Sequence, residues 1–223
     1  MKILIVLLLT INLFSSGLSD YFLNKNKCDF IYSNKIYKSC YDYKYKGTKA
    51  VLYSVESNNN NKRNIKKRFS WRYPKGIPKE YWPYKKAYYK NKQRMDIGHL
   101  ANDATFDYDK DVLKMTYVLG VNGVPQDSSV NRYYWKRVET YSRNISNIYG
   151  SIQVLDLIKY GEKNFSTSDM RLPIVFYKIF IINGKDKMCF KYVNDRTLYN
   201  RGDHPFRHII SCKKIIKDYN DKK

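Results

Sequence analysis

The amino-acid sequence predicts an α+β fold made of strands, one central helix and further strands. Residues 36–56 contain two β-rich runs on either side of the turn Lys46–Lys49, which is typical of a strand pair. Residues 132–149 contain neither proline nor glycine and are predicted to form the helix. Residues 174–193 predict a hairpin over a turn at 184–186. Because strands and helix occupy separate stretches of 223 residues, we expect a single α+β domain.

The remaining segments complete this prediction. Residues 62–95 are basic and contain three prolines, so a long irregular segment is expected there. The apolar run Tyr117–Val121 predicts a buried strand, and Ser151–Ile158 predicts another directly after the helix.

The N-terminus has the pattern of a signal peptide. Lys2 precedes the apolar residues 3–14, a stretch shorter than the roughly 20 residues of a spanning helix. Gly17-Leu18-Ser19 fits a small-x-small cleavage site. Residues 1–19 are therefore predicted to be removed, which leaves a domain at 20–223 that is secreted or periplasmic and has no membrane contact. The alternative is an uncleaved membrane anchor.

The four cysteines fit an oxidising compartment. Cys28, Cys40, Cys189 and Cys212 all lie after the predicted cleavage site, and an even number in an exported chain indicates two disulfides. Three pairings are possible. We expect Cys28–Cys40 and Cys189–Cys212 because each pair is close in sequence.

The composition indicates a globular protein that binds a polyanion. The aromatic fraction of 16% excludes a disordered chain, and the formal charge of +22 suits a nucleic acid, an anionic lipid or a polysaccharide. Basic and aromatic residues interleave at 62–73 and 84–90, as in a phosphate track with stacking platforms. A solvated loop rich in Lys and Tyr would have the same pattern.

Three short stretches carry the residues with chemical potential: Asp96-Ile97-Gly98-His99, Asn122-Gly123-Val124-Pro125-Gln126, and residues 131–143. A histidine near its ordinary pKa can take a proton from water, so His99 is a candidate general base. The alternative for this histidine is a purely structural role.

The third stretch places side chains at every fourth position. Asn131, Trp135, Glu139 and Arg143 would form one stripe on a helix, because each step of four drifts by only about 40°. An amide oxygen and a carboxylate suit Mg²⁺ or its water shell, and an arginine suits a phosphate. The alternative is a surface stripe with a Glu139–Arg143 ion pair and an inward Trp135.

Together these stretches resemble the DNA/RNA non-specific endonuclease family, the ββα-metal or His-Me finger nucleases. The family's Asp-Arg-Gly-His motif is similar to Asp96–His99, its Asn-x-x-Pro-Gln stretch to Asn122–Gln126, and its metal-binding asparagine to Asn131. The resemblance implies an antiparallel sheet core with a ββα-metal active-site motif, in which the predicted strand at 117–121 follows His99 and the helix comes next.

The resemblance also implies a one-metal phosphodiester hydrolysis. His99 would be the general base, Asn131 the direct ligand of a hydrated Mg²⁺ that Mn²⁺ can replace, and Glu139 a partner of the metal-bound waters. Arg143 and an upstream basic residue, Arg68, would neutralise charge in the transition state.

Further roles follow from the same resemblance. Asn122 would orient the site, and Asp96 and Gly98 would be structural residues beside it, with Asp96 bracing the His99 loop. The substrates would be DNA and RNA without sequence specificity, the products would carry 5′ phosphates, and a partner inhibitor is left open.

The sequence departs from the family pattern at two positions. Ile97 stands where the family has an arginine, so that Arg94 or one of Lys85–Lys92 would have to substitute for its charge. Asn102 stands where the family has a proline.

Three rival functions remain open at this point. The chain could be a catalytically weak extracellular DNA-binding module of the same fold. Cys189, His204, His208 and Cys212 include an H-x3-H spacing that a zinc site could use, although the leading pair of closely spaced cysteines is missing. A membrane-active cationic protein is the third, and it lacks a long basic amphipathic helix.

Overall fold

The computed structural model describes residues 17–62, 64–89 and 94–221. Most of the predicted signal peptide, at residues 1–16, and Lys90 and Lys92 of the predicted arginine substitutes lie outside the described residues. Among the helices of the described part, none is long and apolar enough to cross a bilayer.

In chain order, the described residues form runs of strands separated by helices. The strands are β1 (Phe30–Ser33), β2 (Tyr37–Asp42), β3 (Gly47–Glu56), β4 (Met95–His99), β5 (Gly123–Asp127), β6 (Ser151–Asn164), β7 (Arg171–Ile182), β8 (Lys185–Val193) and β9 (Ile209–Ile210). The helices are α1 (Gly17–Phe22), α2 (Ser57–Asn60), α3 (Lys86–Tyr89), α4 (Asp103–Phe106), α5 (Lys110–Thr116), α6 (Lys136–Tyr149) and α7 (Ile215–Asn220). Single 3₁₀ turns lie at Lys79–Tyr81, Arg196–Leu198, Pro205–His208 and Cys212–Lys214.

Most of the strands belong to one antiparallel sheet. Within the described residues its order is β1-β2-β3-β6-β7-β8-β9, and β4 and β5 pair separately as a two-stranded ribbon. The predicted α+β class is confirmed. The predicted strand pair at 36–56 corresponds to β2 and β3, and the hairpin at 174–193 corresponds to β7 and β8. The hairpin turn is tighter than expected, since Asn183 and Gly184 alone form it, both with positive φ.

The main sheet separates two apolar layers, because successive side chains of a strand face opposite sides. On β7, Phe176 and Phe180 face the layer that contains Trp135 and the buried face of α6. Tyr177 and Ile179 face the other layer, which α1 and α7 cover. Functional residues of α6 therefore lie on the first face.

Both predicted disulfides are present on the second face. Cys28–Cys40 joins the chain before β1 to β2, and Cys189–Cys212 joins β8 to the segment before α7. These pairings match the ones expected from sequence proximity, and they tie the two outer regions of the sheet to their flanking segments.

The strand predicted at Tyr117–Val121 is wrong. These residues are buried, but Gly120 turns the chain with a φ of +74°, and they make only isolated bridges. The second strand of the ribbon is β5, Gly123–Asp127, which pairs with β4. Pro125 argues against a central strand, but a two-stranded ribbon has a free edge that tolerates it.

The helix predicted at 132–149 is confirmed, but its first residues are not regular α-helix. A π-helical turn occupies Val130–Trp135, and regular α-helix starts at Lys136. A π turn holds more residues per turn than an α-helix, so the regular every-fourth-residue spacing does not apply before Lys136. Trp135 packs inward against Phe176 and Tyr192, as expected for the alternative in which this stretch is a surface stripe.

Candidate active site

His99 ends the first strand of the ribbon between two aromatic walls. Its partner in the register of β4 and β5 is Gly123. The ring centroid of Trp71 lies 4.4 Å from that of His99, and the Tyr117 ring meets it edge-on at 4.7 Å. The Nε2 atom of His99 is buried, and none of the described residues gives it a hydrogen-bond partner. The side chain is thus held by packing while one ring nitrogen stays available.

The surroundings of His99 keep its ring neutral. Burial lowers the pKa of His99 to about 4, an effect that Asp103 opposes and Arg68 reinforces. A neutral imidazole at pH 7 can accept a proton, which is the state that a general base needs.

Asn122 holds the segment that follows His99. Its side chain is fully buried, and its Oδ1 accepts from the backbone N–H of Ala101 at 2.7 Å. Its Nδ2 donates to the carbonyls of Ala101 and Thr116 at 2.9 and 2.8 Å. The side chain therefore fixes the backbone two residues beyond the histidine.

We expect Asn122→Leu to lower the free energy of unfolding by about 2 to 4 kcal/mol, because three buried backbone groups lose their partners. Catalytic activity should fall through kcat more than KM, since the histidine loop shifts. Urea denaturation and steady-state kinetics measure both effects. Asn144→Leu, at an exposed position of α6, is the control. Equal stabilities of the two variants would contradict this role of Asn122.

Gly98 allows the two ribbon strands to approach closely. A Cβ atom at this position would lie 2.1 Å from Oε1 and 2.8 Å from Cβ of Gln126. A side chain at position 98 would therefore collide with the Gln126 side chain, so this position favours glycine.

Asp96 lies on the same ribbon strand as His99, and it contacts the π turn. Its Oδ2 accepts from Nδ2 of Asn131 at 3.0 Å. Arg132 forms a forked ion pair with the carboxylate, with Nε–Oδ2 and Nη2–Oδ1 distances of 2.8 and 2.7 Å. The sequence led us to expect that Asp96 braces the His99 loop, whereas its side chain contacts are to the turn that carries Asn131.

Ile97, at the position of the family's arginine, has an apolar side chain and cannot bind a phosphate or form an ion pair as an arginine would. It packs beside Trp71, and its Cγ2 lies over Gly123. Of the predicted substitutes, Arg94 adopts a positive φ before β4, and its carbonyl accepts from Nη2 of Arg196.

Glu139 and Arg143 lie on the first turns of α6. The Nη2 atom of Arg143 donates to Thr140 at 3.1 Å, and its Nη1 is buried without a hydrogen-bond partner among the described residues. Among the described residues, no ion pair joins Glu139 to Arg143. The surface-stripe alternative predicted such a pair. One guanidinium edge is thus free to receive an anion.

The carboxyl group of Glu139 is desolvated. Burial raises the pKa of Glu139 to about 8, an effect that Lys178 and Arg143 oppose and that Asp156 and Asp103 reinforce. A carboxylate in such a place gains from a nearby cation, because the cation favours its charged form.

A buried ion pair that sequence reasoning missed lies close to Glu139. Lys178 on β7 and Asp156 on β6 are direct partners in the register and have no exposed surface. The Lys178 Nζ donates to both Asp156 oxygens at 2.7 and 2.8 Å and to the Tyr53 hydroxyl at 2.9 Å. The same Nζ lies 4.4 Å from the ring centroid of Trp135, which connects the pair to the π turn directly before α6.

Arg68 lies near His99 and is already paired. Its Nε contacts Oδ2 of Asp103 at 3.1 Å, and its Nη2 lies 3.9 Å from Asp107. Asp103 also accepts from the hydroxyl of Tyr117, the edge-on neighbour of His99. The charge of Asp103 raises the pKa of both His99 and Glu139.

The donor set fits a hard, hydrated cation. The Asn131 nitrogen is held by Asp96, so its amide oxygen is the atom left for a metal, and Glu139 adds a carboxylate. No group of three or more His, Cys, Asp or Glu side chains suited to a metal occurs among the described residues. A cation here would therefore keep most of its water shell, as Mg²⁺ does.

The zinc alternative is wrong. Cys189 and Cys212 form a disulfide and cannot be thiolate ligands. Nε2 of His208 instead contacts Asp203 at 2.7 Å.

A histidine on a two-stranded ribbon, followed by a helix with an amide and a carboxylate near its start, defines a ββα-metal nuclease, a class that hydrolyses phosphodiesters with a divalent metal. The family model described as DNA/RNA non-specific endonuclease matches residues 16–209. The chain belongs to that family and is a nuclease.

The fold also resembles solved structures. One is the structure titled "Crystal structure of the EndoG/EndoGI complex: Mechanism of EndoG inhibition", with a TM-score of 0.73 and 14% sequence identity over 85% of this chain and 83% of that chain. At this identity the likeness concerns the fold. No curated protein matches the sequence.

Proposed function

We propose that the protein is an exported endonuclease that cuts DNA and RNA without sequence preference, uses one hydrated Mg²⁺ and leaves 5′ phosphates. The observation that carries the proposal is the pairing of a neutral His99 with an available Nε2 atom and an Asn131 amide oxygen left free by Asp96. These are a proton acceptor and a cation ligand on adjoining elements.

His99 accepts a proton from a water molecule as the water oxygen forms a bond to phosphorus. The bond from phosphorus to the 3′ oxygen breaks, and that oxygen takes a proton from solvent. Arg143 would stabilise the transferred charge through its Nη1, which has no hydrogen-bond partner among the described residues, while Arg68, paired with Asp103, would add a second positive charge.

Asn131 would hold the cation directly, and Glu139 would hold its water molecules. When bound, Mg²⁺ neutralises charge on the phosphate and on the leaving oxygen, and Mn²⁺ can replace it. Asn122 keeps the His99 loop in place throughout.

Substrate choice by charge is supported by the surface beside the site. An open groove on the segment before Arg68 is lined by Lys62, Lys66, Lys67 and Tyr108, and the described residues of its lining include no acidic side chain. Such a surface binds the phosphates of a nucleic acid whatever its base sequence, because phosphate contacts do not read the bases.

Export is supported by the two disulfides, which form in oxidising compartments. Removal of residues 1–19 by a signal peptidase is part of the proposal, and secreted or periplasmic location follows from it. Cleavage after Ser19 would remove the first three residues of α1 (Gly17–Phe22), including the buried Leu18, and would leave the buried Phe22 in place.

A plasmid-cleavage experiment tests the proposed function. Purified, oxidised protein with Mg²⁺ should nick supercoiled plasmid, linearise it and degrade single-stranded RNA, and EDTA should abolish all three. The ends should be 5′ phosphates that a ligase accepts without kinase treatment. Protein that shifts DNA on a gel but does not cut it would instead establish the rival binding module.

We expect the pH profile of cleavage to depend on the Mg²⁺ concentration. Glu139 must be ionised to hold metal-bound water, and its pKa of about 8 makes activity rise with pH through the neutral range at low Mg²⁺. Higher Mg²⁺ favours the carboxylate and should move the midpoint to lower pH. The neutral form of His99 is lost only near pH 4, so it sets a separate, lower limb.

Initial rates from pH 4 to 9 at two Mg²⁺ concentrations measure this effect. Glu139→Gln should remove the Mg²⁺-dependent movement of the midpoint. A midpoint that stays fixed as Mg²⁺ rises would contradict the assignment of Glu139.

A further inference from the structure

The amide of Asn131 has two chemically different ends, and only the oxygen can bind a cation. Which end faces the site depends on the hydrogen bonds around the amide. Asp96 decides this, because an ionised carboxylate only accepts hydrogen bonds and so must face the nitrogen. The observed contact joins Nδ2 of Asn131 to Oδ2 of Asp96 at 3.0 Å.

Arg132 fixes the carboxylate itself. Its guanidinium meets both Asp96 oxygens in a forked geometry, the stronger and more directional form of such a pair. The Arg132 side chain is 64% exposed, while Asp96 is 20% exposed. The exposed Arg132 therefore covers Asp96 on its solvent side and holds the carboxylate against the Asn131 amide.

The position of Asp96 adds a second constraint. It belongs to the five-residue strand that ends in His99, and this strand is held in register by β5. Arg132 and Asn131 belong to the π turn before α6. The three side chains thus tie the element carrying the base to the element carrying the cation ligand.

We propose that Asp96 and Arg132 are positioning residues for the metal: Asp96 turns the Asn131 amide so that its oxygen faces the cation, and Arg132 holds Asp96 in that geometry. This rests on the proposed function, in which Asn131 binds the cation.

Metal binding without substrate tests this directly. Electron paramagnetic resonance measures the Kd of Mn²⁺ for the full mature chain and its variants. Asp96→Asn should weaken Mn²⁺ binding about 10- to 100-fold, the usual effect of losing a partner of a metal ligand. The new amide can donate as well as accept, so it no longer selects one orientation of Asn131.

Arg132→Met should weaken Mn²⁺ binding in the same direction by a smaller factor, and Arg132→Lys should recover part of it. Lys136→Met removes an exposed positive charge near the start of α6 and is the matched control, with no change expected. Asn131→Ala gives the reference for complete loss. Thermal unfolding of each variant confirms that it is folded, and the exposed Arg132 keeps the test valid if Asp96→Asn does not fold.

Unchanged Mn²⁺ binding in folded Asp96→Asn or Arg132→Met would overturn the proposal. A raised KM for DNA with unchanged Mn²⁺ binding in Arg132→Met would also overturn it and make Arg132 a phosphate contact. In either case the wild-type protein still cuts DNA. If the proposed function is wrong, the wild-type protein itself does not cut with Mg²⁺.

Discussion

His99→Ala should reduce kcat/KM for plasmid cleavage by about 10²- to 10⁴-fold, the range for removing a general base. This corresponds to about 3 to 5 kcal/mol of transition-state free energy. The effect should be on the chemical step, because His99 lies between Trp71 and Tyr117 and lacks a hydrogen-bond partner for Nε2 among the described residues. Initial nicking rates with Mg²⁺ measure it.

Two controls separate base catalysis from damage to the site. DNA binding in EDTA should match the wild type, and added imidazole should restore part of the activity by entering the space between the two aromatic rings. His204→Ala removes an exposed histidine elsewhere and should leave the rate unchanged. Full activity of His99→Ala would show that another group takes the proton.

Lys178→Met should lower the free energy of unfolding by about 3 to 5 kcal/mol, because the Asp156 carboxylate would stay buried without its partner. For a chain of this size the melting temperature should fall by roughly 6 to 20 °C. The Tyr53 hydroxyl also loses the Lys178 ammonium as its donor. Thermal and urea unfolding measure the change.

A double variant distinguishes loss of the pair from loss of packing. Lys178→Met combined with Asp156→Leu should recover most of the stability, because an apolar pair can replace a buried ion pair of similar volume. Lys191→Met breaks a pair with Asp218 in which each side chain is about one third exposed, and it should cost less than about 1 kcal/mol. Equal losses for Lys178→Met and Lys191→Met would show that the buried pair contributes no more than a surface pair.

The sequence could predict the class of fold and the chemical residues, because these depend on local patterns. The strand pair, the β7–β8 hairpin and both disulfides follow from alternation, turn residues and proximity. Val130–Trp135 and β5 could not be predicted in this way. A π turn has no distinct residue pattern, and Pro125 is accommodated only because β5 pairs on one side.

Contacts between distant segments were beyond local reasoning. The pairing of Asp96 with Asn131 and Arg132 depends on how the ribbon docks on the π turn, which no spacing encodes. The Lys178–Asp156 pair did leave a signal: Asp156 is the one charged residue in 151–158, and Lys178 is the one charged residue in 172–182. Because isolated buried charges are costly, two such strands are expected to bring their charges together.

Trp71 gives the enzyme an internal optical reporter. Its ring lies 4.4 Å from the His99 ring, and a protonated imidazole quenches indole fluorescence on contact. The other two tryptophans lack a histidine neighbour among the described ring contacts: Trp82 stacks on Tyr73, and Trp135 packs on Phe176 and Tyr192. A fluorescence titration from pH 7 to pH 3 would therefore record the protonation of His99 in the resting protein, without substrate, label or turnover.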